Sequence, residues 1–557
     1  MSVEVARERI EREEWIGRIW KKDATVWKSE PEHRDVISNA LGWLDVVPVM
    51  LGRLDELTSF AAEARSSFDH VVVLGMGGSS LCAEVFRTAF GPRDGWPLLH
   101  VLDSTVPAAV RGLEAGLDLE RTLFVVVSKS GTTTEPQMFY RYFFDRLRST
   151  RGDRAGENFV AITDPGTKLE EEAERDHFRR TFLNFTDIGG RYSVLSYFGM
   201  VPAAISGVDV KSILDSAASA RVSCQHSRLE ANPGAALGAW MAGNAQEGRD
   251  KLTIVTGPTL GSLGLWIEQL IAESTGKEGH GILPIATEPI EGADQYGKDR
   301  AFAFVRLADE KEGDLPERIA EIEKEGHPVL RRSLGSLAEL GAEFFTWEFA
   351  TAVAGAVLGI DAFDQPNVQE SKDRTRKLLA EFDQTGALAQ PPLVAEGRGI
   401  RIQSERKPPA AGTSVTDALH QFIEQSGEGD FVAFMEYIAE SAERDAIIAS
   451  MRRDVMRCRK LATTSGYGPR FLHSTGQFHK GGPNEGVFIQ LTSDDEELPI
   501  PGEKFGFAVL KEAQALGDFA ALVAHGRRAI RVHLGGDATA GLKTFAHLLG
   551  QAVASNR

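Results

Sequence analysis

Two glycine-rich stretches decide the fold class of this chain: Leu74-Gly75-Met76-Gly77-Gly78-Ser79-Ser80 and Ser128-Lys129-Ser130-Gly131-Thr132-Thr133-Thr134-Glu135. Each follows an apolar run typical of a buried strand, Val71–Leu74 or Leu123–Val127, and precedes a helix-like segment. Such turns lie at the carboxyl edge of a parallel sheet, where open α/β sheets bind ligands. Glycines let the backbone approach a ligand, and N–H groups and hydroxyls at a helix N-terminus attract anions, so the pair predicts a phosphate pocket.

Strand-and-helix alternation continues along most of the chain. Further apolar runs occur at 98–102 and 159–163, and a second series begins at Lys251. This pattern predicts parallel sheets covered on both faces. We therefore predict an α/β fold with two doubly wound, mainly parallel domains and a C-terminal α/β domain. The predicted boundaries are a helical lead-in packed on the first domain at 1–60, a first domain at 61–225, a second at 226–395 and the C-terminal domain at 396–557, after a linker at 392–409 containing Pro and Gly.

Composition excludes several classes of protein. The net charge of −18 over 557 residues argues against non-specific nucleic-acid binding, which needs a basic surface. No stretch reaches the roughly 18 apolar residues of a membrane span, and the N-terminus lacks an apolar signal core. The three cysteines, Cys82, Cys224 and Cys458, form no CxxC pair and give no metal signature. We expect a cytoplasmic protein in a reducing compartment.

Two segments in the middle of the chain carry candidate ligand-facing side chains. Arg191 lies between a glycine pair and small hydroxyl residues in the stretch 189–196. Gln269 and Glu273 are four residues apart and share one face of a predicted helix, which Gly276 is placed to end. A carboxylate in the last turn lies at the negative end of the helix dipole, which suits a general base, although most glutamates in such positions are merely exposed.

Two later segments add basic residues. Phe363-Asp364-Gln365-Pro366 predicts the start of a helix with Lys372 on its second turn. The stretch 466–482 is glycine-rich and contains His473 and His479. A hydrophobic core does not need such a loop, so we interpret it as functional.

In this order, the segments resemble the motifs of the phosphoglucose isomerase family, whose chains contain two sugar-isomerase (SIS) domains. The matches are GIGGS at 75–79, SKTFTT and the broader SIS pattern SxSGxTxE at 128–135, GGRFSVLS at 189–196, QxxxESNGK at 269–277 with Thr275 in place of asparagine, and FDQxxVExxK at 363–372. The resemblance covers residues 70–380. It implies two SIS-type domains and an aldose–ketose isomerase that interconverts D-glucose 6-phosphate and D-fructose 6-phosphate.

One departure concerns the ring-opening histidine. The common family pattern places a GQH segment between the glutamate and lysine motifs, where this chain has only His280 and His327. The nearest match is His473, followed by His479-Lys480-Gly481-Gly482, which resembles HAFYQLIHQG but follows the lysine motif. This layout resembles the isomerase half of transaldolase/phosphoglucose isomerase fusion proteins. No transaldolase activity is expected, because only about 60 residues precede Phe68 and a barrel needs far more.

The resemblance also implies roles for individual residues. Glu273 is expected to move the proton between C1 and C2, and Arg191 to stabilise the enediolate. His473, assisted by Lys372, is expected to open the sugar ring, with His280 and His479 as rivals and its action in cis or in trans left open. The expected phosphate and sugar contacts are Gly78, Ser79, Ser128, Lys129, Ser130, Thr133, Gln269 and Gln365.

The expected partner is a small sugar phosphate, without cofactor, metal, nucleic acid or membrane, and a homodimer is expected from the resemblance. Two alternatives remain open at this point. Thr275 beside Glu273 leaves room for dual phosphoglucose/phosphomannose isomerase activity. A non-catalytic SIS-domain sugar-phosphate sensor would bind the same ligand without turnover.

Overall fold

The computed structural model describes residues 2–311, 313–405 and 412–554. The first of its three sheets has five parallel strands in the order β2-β1-β3-β4-β5. These strands are β1 (His70–Leu74), β2 (Leu98–Leu102), β3 (Thr122–Val127), β4 (Phe159–Thr163) and β5 (Arg180–Leu183). Every residue of β3 is buried, as a continuous apolar run requires when helices cover both faces of a sheet.

The second sheet has four parallel strands in the order β7-β6-β8-β9. They are β6 (Lys251–Thr256), β7 (Leu283–Ile285), β8 (Arg300–Leu307) and β9 (Val329–Leu334). In both sheets the first strand lies inside, with the second strand on one side and the third on the other. This reversal is the doubly wound arrangement, so the predicted fold class is confirmed.

The third sheet has six strands in the order β10-β11-β15-β14-β12-β13. They are β10 (Leu393–Gly397), β11 (Ile400–Gln403), β12 (Phe431–Tyr437), β13 (Ala462–Tyr467), β14 (Gly486–Thr492) and β15 (Arg528–His533). The linker predicted at 392–409 is wrong for 393–403, which form an antiparallel hairpin on the edge of this sheet. Residues 406–411 lie outside the described ranges. Pro391 and Pro392 precede the hairpin and suggested a linker.

Helices cover the sheets and connect their strands, and in the described part of the chain none has the length and apolar character to cross a membrane. Before the first strand lie α1 (Val3–Arg12), α2 (Trp15–Trp20), α3 (Pro31–Ser38), α4 (Val46–Leu51) and α5 (Leu54–Ser67). Next come α6 (Gly78–Phe90), α7 (Pro107–Ala115), α8 (Thr134–Arg151), α9 (Lys168–Arg175), α10 (Tyr197–Ile205) and α11 (Val210–Ser223). Then follow α12 (Pro233–Gln246), α13 (Gly261–Thr275), α14 (Leu315–Lys324), α15 (Leu340–Leu358) and α16 (Pro366–Thr385). The last are α17 (Val415–Ile423), α18 (Ala442–Arg459), α19 (Gly476–Gly481), α20 (Phe507–Ala524) and α21 (Ala538–Ala554).

The N-terminal helices precede the first sheet, but they do not pack on the first domain alone. The indole N–H of Trp27 donates to the carbonyl of Ala352 at 2.7 Å, and the ring of Trp20 stacks on Phe349 of α15. One hydrophobic core therefore runs through the lead-in and both doubly wound domains. The helical spacing of the apolar residues predicted the helices, but it does not specify which partner their apolar face meets.

The C-terminal domain packs against the carboxyl edge of the first sheet. A short 3₁₀ segment after β13, Arg470–His473, is called here the His473 turn. The guanidinium of Arg470 donates to both carboxylate oxygens of Asp103, which follows β2, at 2.8 and 2.9 Å. This bidentate pair places the turn beside the glycine loops of the first domain.

Candidate active site

Two glycines in the loop after β1 let three segments of the chain meet. Gly77 has φ +56°, and a Cβ there would lie 2.8 Å from Nε2 of Gln269 and 2.8 Å from the carbonyl oxygen of His473. A Cβ on Gly78 would overlap the carbonyl oxygen of Gly190. The glycines are thus needed because backbone, an amide side chain and the His473 turn occupy the space where larger residues would place side chains.

Arg191 lies at the centre of this meeting point, with 3% of its surface exposed. Its Nε donates to Ser274 Oγ at 2.7 Å, and its Nη1 donates to Gln365 Oε1 at 2.8 Å. Nη2 donates to the carbonyl oxygens of Ala362 and Asp364 at 2.7 and 3.0 Å. The loop before α16 therefore fixes the guanidinium, and the predicted residues Arg191 and Gln365 come together.

Glu273 faces the same guanidinium from the last turn of α13, which ends before Gly276 as predicted. Its Oε1 lies 3.5 Å from Arg191 Nη1, and its Oε2 accepts from Gln269 Nε2 at 3.2 Å. Gln269 Nε2 also donates to the carbonyl of His473 at 2.8 Å. The glutamate is nearly buried, and two side chains that approach from different segments hold its carboxylate in place.

The imidazole of His473 contacts a buried carboxylate that the sequence interpretation gave no role. Nε2 of His473 lies 3.3 Å from Glu135 Oε1, and Gln514 Nε2 donates to the same oxygen at 2.6 Å. Thr105 Oγ1 in turn donates to Gln514 Oε1 at 2.6 Å. Burial alone would raise the pKa of Glu135, but His473 and the positive charge of Lys372 outweigh it and lower the pKa below its ordinary value.

Lys372, on the second turn of α16, lines the same small cavity as Glu135 and His473. The two rival histidines lie elsewhere. His280 is exposed on the turn after α13. His479 is buried between the rings of Phe471 and Phe488, and neither of its nitrogens has a hydrogen-bond partner within the described residues. Burial lowers the pKa of His479 well below its ordinary value.

The loop after β3 gathers the predicted phosphate-binding hydroxyls at the N-terminus of α8. Ser128 Oγ donates to Thr133 Oγ1 at 3.1 Å, and Ser130 Oγ lies 3.1 Å from Thr132 Oγ1. Lys129 differs from the expectation. Its ammonium forms an ion pair with Asp164 and donates to the carbonyl of Thr186 at 2.9 Å, so in this conformation the side chain is already occupied.

Three comparisons bear on what this arrangement is. The family model described as Phosphoglucose isomerase matches residues 33–284. A probable glucose-6-phosphate isomerase of Methanococcus maripaludis is 28% identical over 384 residues, which cover 62% of this chain and 85% of that protein. A glucose-6-phosphate isomerase of Symbiobacterium thermophilum is 29% identical over 397 residues, covering 61% and 86%.

These matches support a relationship between this chain and the phosphoglucose isomerases, and residues 33–284 carry the family match. A solved structure agrees with this at the level of the fold. It is a glucose-6-phosphate isomerase from Chlamydia trachomatis, with a TM-score of 0.56 and 20% identity, and the match covers 69% of this chain and 86% of that one.

The phosphoglucose isomerase match includes Gly78, the loop at 128–135, Arg191 and Glu273, but not Lys372 or His473. Sequence interpretation missed Glu135, Gln514 and Thr105 as partners of His473. Glu135 ends the SxSGxTxE pattern and could have been found from it. Gln514 and Thr105 lie outside every motif. They come into contact only when the C-terminal domain folds onto the first domain, so no sequence signal indicated them.

Two further groups near this candidate site have structural explanations. The ligand atoms of His33, Asp361 and Asp364 lie within 4.8 Å of one another, as a metal site would require. The Nζ of Lys277 lies 2.5 Å from Asp364 Oδ1 and supplies positive charge there, so the acidic residues do not require a cation. Thr275 is fully buried and its hydroxyl donates to the carbonyl of Ile271 at 2.8 Å, which gives the dual-specificity alternative no support.

Proposed function

We propose that this chain interconverts D-glucose 6-phosphate and D-fructose 6-phosphate, with Glu273 as the base. The observation that carries the proposal is the carboxylate of Glu273 held between Gln269 and Arg191 in a nearly buried site. A carboxylate beside a fixed guanidinium can take a proton while the positive charge stabilises the oxyanion that develops. The relatives named as glucose-6-phosphate isomerases support this reaction.

The chemical step is a proton transfer between C1 and C2 through a cis-enediolate. Glu273 would remove the proton from C2 of the open-chain aldose and return it to C1, while the hydroxyl proton of O2 passes to O1, which gives the ketose. Arg191 would stabilise the negative charge on the enediolate oxygens, and it retains its own proton because a guanidinium is not deprotonated at working pH. Four hydrogen bonds to the residues around it keep the guanidinium from reorganising during the step.

Ring opening needs a separate acid and base near the ring oxygen, and we assign it to His473 with Lys372. A histidine can both give and take a proton near neutral pH. The contact of its Nε2 with Glu135 favours one ring orientation, as carboxylates do for catalytic imidazoles. Because Glu135 and His473 belong to the same chain, we propose that the C-terminal domain supplies this histidine in cis.

The phosphate would bind at the N-terminus of α8. This helix is 18 residues long, and the hydroxyls of Ser128, Ser130 and Thr133 cluster just before it. Backbone N–H groups and the helix dipole make such a position favourable for a dianion. Lys129 would contribute through its backbone unless its ammonium leaves Asp164. Gly78 and Ser79, at the start of α6, would face the sugar together with Gln269 and Gln365.

The experiment is a coupled assay that measures glucose 6-phosphate formed from fructose 6-phosphate, run with EDTA present. The parent and Glu273→Gln are assayed side by side at saturating substrate. Turnover in the parent that is lost in the variant supports the isomerase and its base. A folded parent that binds fructose 6-phosphate without turnover would contradict the proposal and favour the sensor alternative.

The proposal also includes an oligomeric state and a cellular location. A homodimer is proposed from the family, and light scattering after size exclusion measures it directly. A cytoplasmic location is proposed from the three cysteines, which form no disulfide in the structure. Fractionation of cells producing the protein would test that location.

A further inference from the structure

A second cavity, of about 300 Å³, lies between the C-terminal domain and the two doubly wound domains. Its walls come from α6, α13, α18 and the His473 turn. The apolar part of the lining consists of Leu81, Leu265, Ile448, Ala449 and Phe471. The cavity is therefore distinct from the Glu273 site, although both border α13.

A buried carboxylate faces into this cavity. Glu268 is 94% buried, and its Oε1 accepts the N–H of Ala286 at 2.9 Å. Its Oε2 has no hydrogen-bond partner among the residues that the structure describes. Burial raises the pKa of Glu268 to about 7, and Arg452 is the charged group that opposes this rise. A buried acid whose second oxygen borders a cavity can accept a hydrogen bond from a donor bound there.

The positively charged residues of the lining are already occupied. The three guanidinium nitrogens of Arg452 donate to Thr463 Oγ1, to the carbonyl of Thr287 and to the carbonyl of Thr463, at 3.1, 3.0 and 2.8 Å. Arg470 is paired with both oxygens of Asp103. The charges of both arginines are already balanced by carboxylate or carbonyl oxygens, so this cavity offers a sugar phosphate little.

The rim of the cavity adds more acceptors. Glu440 and Asp445 line it and are exposed to solvent. Asp445 Oδ1 accepts from the hydroxyl of Tyr467 at 2.5 Å, and Glu440 Oε2 accepts from Arg470 Nη2 at 3.2 Å. Each carboxylate keeps one oxygen without a hydrogen bond inside the described part of the chain. The lining thus has an acid at its buried end, apolar walls and acids at its mouth.

We propose that this cavity binds an aliphatic diamine, with one ammonium at Glu268 Oε2, the methylene chain along Leu81, Leu265 and Ile448, and the second ammonium at the acidic rim. Ammonium groups satisfy carboxylate acceptors by charge-assisted hydrogen bonds. The methylene groups are stabilised by leaving water when they pack along the apolar wall. Ser474 and Phe471, on either side of His473, line the same cavity, so the diamine would contact the segment that carries the proposed ring-opening residue.

The test is isothermal titration of the full chain with 1,4-diaminobutane, and with 1,4-butanediol as an uncharged molecule of the same shape. We expect saturable binding of the diamine at one site per chain and none of the diol. Glu268→Gln keeps the acceptor for Ala286 but loses the charge, so its affinity should fall at least tenfold. Ala449→Phe should fill the cavity from α18 and abolish binding without changing Glu268.

A matched control separates the site from general attraction to an acidic protein. Glu443→Gln removes a carboxylate from α18 that pairs with Lys543 and does not line the cavity, so binding should equal that of the parent. Equal affinity in the parent, Glu268→Gln and Ala449→Phe would overturn the proposal, as would displacement of the diamine by fructose 6-phosphate. Absence of binding to a folded parent would also overturn it. Calorimetry reads binding directly, so these outcomes do not depend on isomerase activity.

Discussion

His473 of the C-terminal domain and Glu135 of the first domain meet across the domain boundary, with Nε2 of the histidine 3.3 Å from Oε1 of the glutamate. On the other side of the same turn, the carbonyl of His473 accepts a hydrogen bond from Gln269, which also donates to Glu273. The proposed ring-opening residue and the proposed base are therefore linked through one amide side chain. The C-terminal domain therefore contributes side-chain and backbone contacts to the proposed site.

Replacing Glu273 by Gln should remove the proton shuttle and leave the shape of the site unchanged. We expect kcat to fall by roughly 10³-fold with KM altered less than about threefold, because general-base catalysis typically contributes 10²–10⁴-fold. Steady-state kinetics in both directions measure this. As a control, Glu278→Gln replaces an exposed carboxylate beyond the same helix. A variant of Glu273 that keeps more than a tenth of the activity would show that the base is another residue.

Replacing His473 by Ala should separate ring opening from isomerisation. The cyclic substrate needs a proton transfer at the ring oxygen, so we expect kcat on glucose 6-phosphate to fall by about 10²-fold. A 5-deoxy analogue of fructose 6-phosphate cannot close its ring and should react at nearly the parent rate. The measurement is the ratio of the two rates in parent and variant. His280→Ala is the matched control, and equal losses on both substrates would contradict the assignment.

Gln514 and Thr105 are predicted to act through Glu135. Gln514→Leu removes the donor to Glu135 Oε1, which should raise the pKa of that carboxyl and move the acid limb of the kcat/KM profile to higher pH. We expect a loss of about tenfold at neutral pH. Thr105→Val should cause part of the same loss and shift, because the Thr105 hydroxyl orients the amide of Gln514. Thr105→Ser keeps the hydroxyl and should behave like the parent. A uniform loss of activity with an unchanged profile would mean that these residues only support packing.

Sequence patterns predicted the doubly wound sheets because parallel strands covered on both faces form continuous apolar runs. The strand at 122–127 is of this kind. They failed for two strands at sheet edges, although the edge strand at 98–102 was predicted. Val329–Leu334 contains two arginines and is only partly buried, and Leu393–Gly397 lies at the end of the third sheet beside two prolines. An edge strand has a neighbouring strand on one side only and often carries charged residues or lies beside prolines, so these two segments resemble loops in composition.

The proximity of candidate residues could be predicted where they lie in one loop or on one helix face, as Gln269 and Glu273 do. Contacts that depend on domain packing could not. Gln514 and Glu135 are 379 positions apart and are joined only when α20 comes to lie beside the first domain. The charge of Lys129 suggested phosphate binding, but spacing gives no indication that Asp164 lies close enough to pair with it.

Gly78 should tolerate no side chain. In Gly78→Ala the new methyl group would overlap the carbonyl oxygen of Gly190, and both partners belong to backbone that cannot rotate away. We expect a loss of about 2 kcal/mol in the free energy of unfolding, of the order found for overpacked cores, and weaker substrate binding. Urea unfolding and KM measure the two effects. Gly112→Ala, on α7, meets nothing within 4 Å and should be neutral or stabilising. Equal stability of the two variants would contradict the close approach.

Lys277 should make stability rise with pH in a defined window. Burial, together with the nearby positive charge of Arg191, lowers the pKa of Lys277 to about 8, from 10.5 for an ordinary lysine. Between these values the unfolded chain holds a proton that the folded chain has released, so this residue's contribution to the free energy of unfolding increases as pH rises. Its full size would be about 3 kcal/mol, at 1.36 kcal/mol for each pKa unit.

The measurement for Lys277 is the free energy of unfolding in urea at pH 7.5, 9 and 10.5, compared between the parent and Lys277→Met. Other titrating groups are common to both proteins and cancel in this difference. The free energy of unfolding of the parent should therefore increase relative to that of the variant as pH rises. Lys211→Met, which removes an exposed lysine paired with Asp215, is the control and should show no such gain over the same range. A constant difference between parent and Lys277→Met would show that Lys277 keeps an ordinary pKa, and that its contacts with Asp361 and Asp364 offset the cost of burial.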